Sequence, residues 1–215
     1  MVEPQRDPIE RLIIDLRPVT PLNPLRLLLL SVVVAGLILA VVFSIYGIRP
    51  DIFRSAEDGA WIPPTAILKP LMWAWVGFSA LHVVVDLSRP EGRLHWSDLA
   101  PLPVVALGQL GLTSLEVARE GWAATFAPGF GQANLCAGTL LAATFLGMRL
   151  ADPVWLKFTA SSHPMVLRLM TAIAFATLAA AAYALHCPMD QPYYMVGVYT
   201  PAIAFAALIE STRPL

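Results

Sequence analysis

The sequence predicts an all-α integral membrane protein: six transmembrane helices with short loops, preceded by a short cytoplasmic amphipathic helix. Three observations carry this. Only 13% of the 215 residues are charged while 57% are hydrophobic, and the mean hydropathy is +0.67, whereas a soluble domain holds about 25% charged residues. The charges gather between six apolar runs that approach the roughly 20 residues a helix needs to cross a bilayer. No strand alternation or Gly-rich hairpin series interrupts them, which excludes a barrel and leaves helices as the way to satisfy the backbone in lipid.

Residues 1–24 form the N-terminal segment, 25–210 the helical domain and 211–215 a cytoplasmic tail. Within "DPIERLIIDLRPVTPLNP", residues 7–24, Asp7 suits an N-cap, Pro8 the first helical position, and Glu10 the returning half of a capping box. Ile9, Leu12, Ile13 and Leu16 then fall at i, i+3, i+4 and i+7, one apolar stripe, until Pro18 ends the helix. Such a helix, about ten residues long, needs a surface to be stable. Lipid-surface helices are rich in Lys and Arg. Here Glu10 and Asp15 balance Arg11 and Arg17, which favours a protein groove over membrane docking.

The spans are read at 25–47, 66–86, 99–117, 133–148, 165–185 and 193–209. Pro101 and Pro103 open the third, where a first turn tolerates proline, and Pro201 predicts a kink in the sixth. The fourth is short and has room to extend back into "TFAPGFGQ". No small-residue cleavage site follows the first run, which reads as an uncleaved span. Six spans put both termini on one side. That side carries Arg6, Arg11, Arg17, Arg26, Arg89, Arg93, Arg149, Lys157, Arg168 and Arg213, ten positive charges; the other carries Arg49, Arg54, Lys69 and Arg119, four. Ten against four assigns both termini to the cytoplasm. Trp61, Trp122, Phe126, Tyr193 and Tyr194 then lie near the outer face as interfacial rings.

Cys136 and Cys187 are the only cysteines. Cys136 sits in the first turn of the fourth span and Cys187 at the end of the fifth, so both belong to the outer face, which is oxidising in a bacterium. The short connection between these spans makes them antiparallel neighbours, within reach of a disulfide. A disulfide, a reversible thiol pair, and two cysteines buried merely as small hydrophobes all remain open. With His186 and Asp190 the pair makes a candidate ligand set for a soft or borderline ion such as zinc or cadmium, although no CxxC or HxxxH spacing supports it. No resident cofactor is expected beyond a transient heavy-metal ion there. His82 and Asp86, four apart, read as a boundary ion pair rather than a proton relay. Gln109 and Thr113 read as hydrogen-bonding groups toward a neighbouring helix, with Glu116 and Glu120 at that span's outer end. No nucleophile motif, carboxylate pair, P-loop, inverted repeat or basic nucleic-acid patch appears. An enzyme, a secondary transporter and direct nucleic-acid binding are therefore not expected.

Three stretches, "RLIIDLRPVTPLNP", "GIRPD" and "AYALHCPMDQPYYMVGVYT", resemble the NrsF family of bacterial membrane proteins. The likeness is most specific from about Asn134 to Thr200, where a Cys opens the fourth span and His-Cys-Pro-x-Asp closes the fifth. It implies a six-span inner-membrane anti-sigma factor that holds an extracytoplasmic-function sigma factor. It also implies that Cys136 and Cys187 are the sensing pair and that Leu12, Ile13, Leu16, Pro18 and Val19 engage the sigma factor, with Ile9 on the same stripe. The chain departs from the family pattern at Ala151 and Pro153 after Arg149, at Val198 before Tyr199, and at Glu210 in the last helix. The alternative reading from the residues is a membrane thiol or quinone redox enzyme using the same cysteines.

Overall fold

The computed structural model describes residues 23–47, 49, 64–159 and 161–213. Six helices long and apolar enough to cross a membrane make up this part of the chain, as fits a multi-pass membrane protein. They are α1 (Pro24–Tyr46), α2 (Pro64–Leu87), α3 (Pro101–Glu120, after the short turn Trp96–Leu99), α4 (Ala133–Val154), α5 (Pro164–Ala184) and α6 (Pro192–Ser211). No strand is present among the described residues. The N-terminal stripe lies outside them.

α5 is the hub. It is the most buried of the six helices, whereas α1 and α3 turn most of their surface outward. Composition explains this, because α5 carries Ala172, Ala174, Ala176, Ala179, Ala180, Ala182 and Ala184, all buried. Small side chains let neighbouring backbones approach closely, which is how helices pack where lipid supplies no hydrophobic drive. The neighbours match it with glycine. A Cβ on Gly147 of α4 would stand 2.6 Å from the Phe175 ring, and one on Gly77 of α2 would stand 2.8 Å from Leu178.

One reading is corrected at a helix end. α4 extends not backward but forward, to Val154. Exposed Arg149 and the Asp152 carboxylate, which accepts from Arg168 Nη1 at 2.8 Å, let its last turns run past the apolar stretch. Before Pro201, where a kink is expected, α6 takes a π-helical turn, Met195–Tyr199. Pro201 brings no N–H to the Gly197 carbonyl, and in the wider turn before it the Thr200 N–H and Thr200 Oγ1 both donate to Met195 O, the hydroxyl at 3.1 Å.

At the end where α4 and α6 finish and α5 begins, a buried ion network joins the three. The Arg168 side chain is 3% exposed and that of Glu210 0%. Arg168 donates to Asp152, to the Glu210 carbonyl at 3.0 Å and to Glu210 Oε2 at 3.4 Å, while Arg213 pairs with Glu210 Oε1 at 2.8 Å. Arg168, counted from sequence as a loop charge, is thus a core residue. The opposite end of the bundle holds the cysteines.

Candidate functional site, a buried thiol pair under a polar cap

Cys136 is delivered by the start of α4. The chain enters that helix through Gly129 (φ 68°) and Gln132 (φ 61°), left-handed positions that close the turn, and the Cys136 N–H donates to Gln132 O at 3.0 Å. Cys187 is delivered by the end of α5. That helix stops at Ala184, and Pro188 forbids its continuation because the residue before a proline is pushed from the α region. The two sulfurs meet at 3.6 Å, unbridged, in residues with no exposed surface. The Tyr194 hydroxyl points at Cys136 Sγ (3.1 Å) and at Gly131 O (3.0 Å), and Cys136 Sγ lies 3.5 Å from the Tyr183 hydroxyl.

Above Cys187 lies a polar cap. The Cys187 carbonyl accepts from Lys69 Nζ at 3.3 Å and from Arg49 Nη1 at 3.4 Å. Lys69 also donates to Met189 O at 2.8 Å and faces the Tyr199 ring, 5.0 Å from its centroid. Arg49 grips the Asp190 carboxylate with two bonds, 3.0 and 2.8 Å, and Thr65 Oγ1 adds a third at 3.1 Å. Both cationic side chains are 3% exposed, and a buried charge persists only when paired and hydrogen-bonded. Next to them His186 Nδ1 lies 2.7 Å from Gly47 O, and the Arg49 N–H donates to Leu185 O at 3.4 Å. The segment 185–190 is therefore strapped to the end of α1 and the start of α2. The hydrogen bond from Cys136, followed by the Lys69 ammonium and a Met189 backbone contact, holds the Cys187 thiol below its ordinary value against the opposing effect of burial. A cleft of about 790 Å³ between α2 and α3 reaches this cap, lined by Lys69, Asp190 and Gln191 at one end and by Met72, Trp75 and Leu112 along its wall.

A family described as "Negative regulator of sigma F" (NrsF) matches residues 12–211, all six helices included. This chain belongs to the NrsF family. The family's role is regulatory, the negative control of a sigma factor, and not enzymatic. Searches of curated proteins and of solved structures find no match.

In this NrsF-family chain the two cysteines read from sequence as one site do meet. The other two candidate metal ligands do not join them: Asp190 is taken by Arg49, Lys69 and Thr65, and His186 turns to Gly47. Among the described residues the one group of three ligand atoms within 4.8 Å of one another is His82, Asp86 and Asp98. There the His82 side chain is 65% exposed and sits 3.5 Å from Asp86, as an i, i+4 spacing predicts. Gln109 does reach a neighbouring helix, at Met72 Sδ (2.9 Å), but Thr113 bonds back to Gln109 O on its own helix. Trp122 is exposed, whereas Tyr193 and Tyr194 are buried because they pack on Phe126 and Phe130. Ile9, Leu12, Ile13, Leu16, Pro18 and Val19 lie outside the described residues.

Sequence reasoning missed Arg49, Lys69, Tyr183 and Tyr194 as site residues. A signal for Lys69 was available, since a lysine inside an apolar run is a functional candidate by default.

Proposed function

We propose that this protein holds an extracytoplasmic-function sigma factor at the bacterial inner membrane through its N-terminal segment, and that the Cys136–Cys187 pair controls release from the opposite, periplasmic face. Both termini are then cytoplasmic. The family's role as a negative regulator of a sigma factor supports the partner class. The single observation that carries the sensing part is the 3.6 Å approach of the sulfurs of the chain's only two cysteines, fully buried, at the end of α5.

The pair can close with little motion, since a disulfide needs about 2.05 Å between sulfurs. Its closure, or capture of a thiophilic ion by the same two sulfurs, would reposition segment 185–190, which is strapped to the end of α1. The first residues of α1 follow directly on the N-terminal segment. To switch a partner from almost fully held to almost fully free, the thiol event must favour the releasing state by about 5.5 kcal/mol, and thiol or metal bonds act on that scale.

The test is co-purification. Tagged protein is expressed with the sigma factors of its host, solubilised in mild detergent and compared with Ile13→Asp and with the Cys136→Ser and Cys187→Ser variants. One sigma factor retained by wild type, lost from Ile13→Asp and no longer released by thiol stress in the serine variants is the expected result. Normal release from Cys187→Ser overturns the sensor, and no sigma factor retained by a folded wild type overturns the capture.

A further inference from the structure

We infer that Cys187 is the attacking sulfur of the pair and Cys136 the resolving one, and that Lys69 is the positioning residue that sets this division. The inference rests on the reading that the pair reacts, and adds how it reacts. Exposure does not separate the two sulfurs, both being fully buried. Their surroundings do. Around Cys187 stand two cations, Lys69 and Arg49, each donating to its carbonyl, against one carboxylate, Asp190. Around Cys136 stand the neutral hydroxyls of Tyr183 and Tyr194, with Cys187 itself. Tyr199 packs beneath Lys69, and His186 is turned to Gly47.

One effect opposes the assignment. Cys136 lies in the first turn of α4, and a helix N-terminus also favours a thiolate. A helix end, however, is worth about half an elementary charge, whereas the two cations that donate to the Cys187 carbonyl leave one whole positive charge there after Asp190 is counted against them. Lys69 matters most, because it alone donates to both Cys187 O and Met189 O and so fixes the segment as well as its field. It also lines the cleft between α2 and α3, which gives a small apolar reagent a path to the cap.

With an organic disulfide RSSR as oxidant, the Cys187 thiolate attacks one sulfur, forming Cys187–S–SR and expelling RS⁻. Cys136 then attacks the Cys187 sulfur, forming the Cys136–Cys187 bond. The second RS⁻ leaves and takes the Cys136 proton as RSH. Two electrons pass from the protein thiols to the reagent.

The probe is 4,4′-dithiodipyridine on the full-length protein in detergent, with released pyridinethione read by absorbance and the retained adduct located by mass spectrometry. Wild type is expected to release two equivalents. Cys136→Ser, which keeps a hydroxyl beside Cys187, is expected to release one at near wild-type rate and to hold the adduct on Cys187. Cys187→Ser should react at least about tenfold more slowly, Lys69→Met should slow the first step of wild type by about tenfold, and Lys69→Arg should restore it. Serine variants reacting at equal rates, or Cys187→Ser the faster, overturn the order of attack. An unchanged rate in a folded Lys69→Met overturns the role of Lys69, and if that variant does not fold, failure of Lys69→Arg to keep the rate does so. Sigma-factor release measured on the same preparations separates the two readings: equal rates with intact release sink this inference alone, and ordered attack without release sinks the sensor alone.

Discussion

Arg168→Met tests whether the ion network at the end where α4 and α6 finish and α5 begins holds the bundle together. The arginine side chain is 3% exposed and makes four hydrogen bonds: two to Asp152 at 2.8 and 3.4 Å, one to the Glu210 carbonyl at 3.0 Å and one to Glu210 Oε2 at 3.4 Å. Methionine fills the space and leaves the carboxylates. Asp152 is 24% exposed, and water would compensate much of its loss. Glu210 is 0% exposed and would keep only Arg213, at 2.8 Å. Removing one partner of a buried pair costs about 3–5 kcal/mol, and the surviving Arg213 contact places this case near the lower end, about 3 kcal/mol. For a chain of this size that is a fall in Tm of about 6–12 °C.

The assay is thermal unfolding in detergent, followed by tryptophan fluorescence. A double variant, Arg168→Met with Glu210→Met, should recover at least half of the loss, because no buried carboxylate then remains at position 210. A drop below about 2 °C for the single variant, or a double variant that falls by the sum of the two singles, would refute the view that the network is a coupled clamp.

Gly147→Val should destabilise by about 1–3 kcal/mol, since its Cβ would enter the Phe175 ring, while Gly138→Val, with open space around it, should change Tm little; paired melts check both. Arg49→Met should raise amide hydrogen exchange across residues 185–190 by about tenfold through loss of the Asp190 and Cys187 contacts; protection equal to wild type would show that the cap does not hold this segment. His82→Ala should shift stability by less than about 0.5 kcal/mol because the side chain is 65% exposed, and a larger loss in the melt would give that pair a weight its geometry does not support.

The sequence by itself determined the number of spans and their order, because a bilayer dictates how long an apolar run must be and where charges can stand. It also determined that the two cysteines share one face, since two helices joined by a short connection run antiparallel. Apolar length does not say which helix lies at the centre. The alanine run of α5 carried that information as side-chain size, which hydropathy ignores, and its meaning appeared only once Gly147 and Gly77 were seen against it. The surroundings of the thiols were decided by tertiary structure alone. Arg49, Lys69 and Asp190 stand apart in the chain, and each read as a loop charge or a metal ligand until the fold brought them together and buried the two cations against the half-buried carboxylate, the partner that low dielectric demands. The same packing that turned Asp190 and His186 toward other partners left Cys136 and Cys187 facing each other.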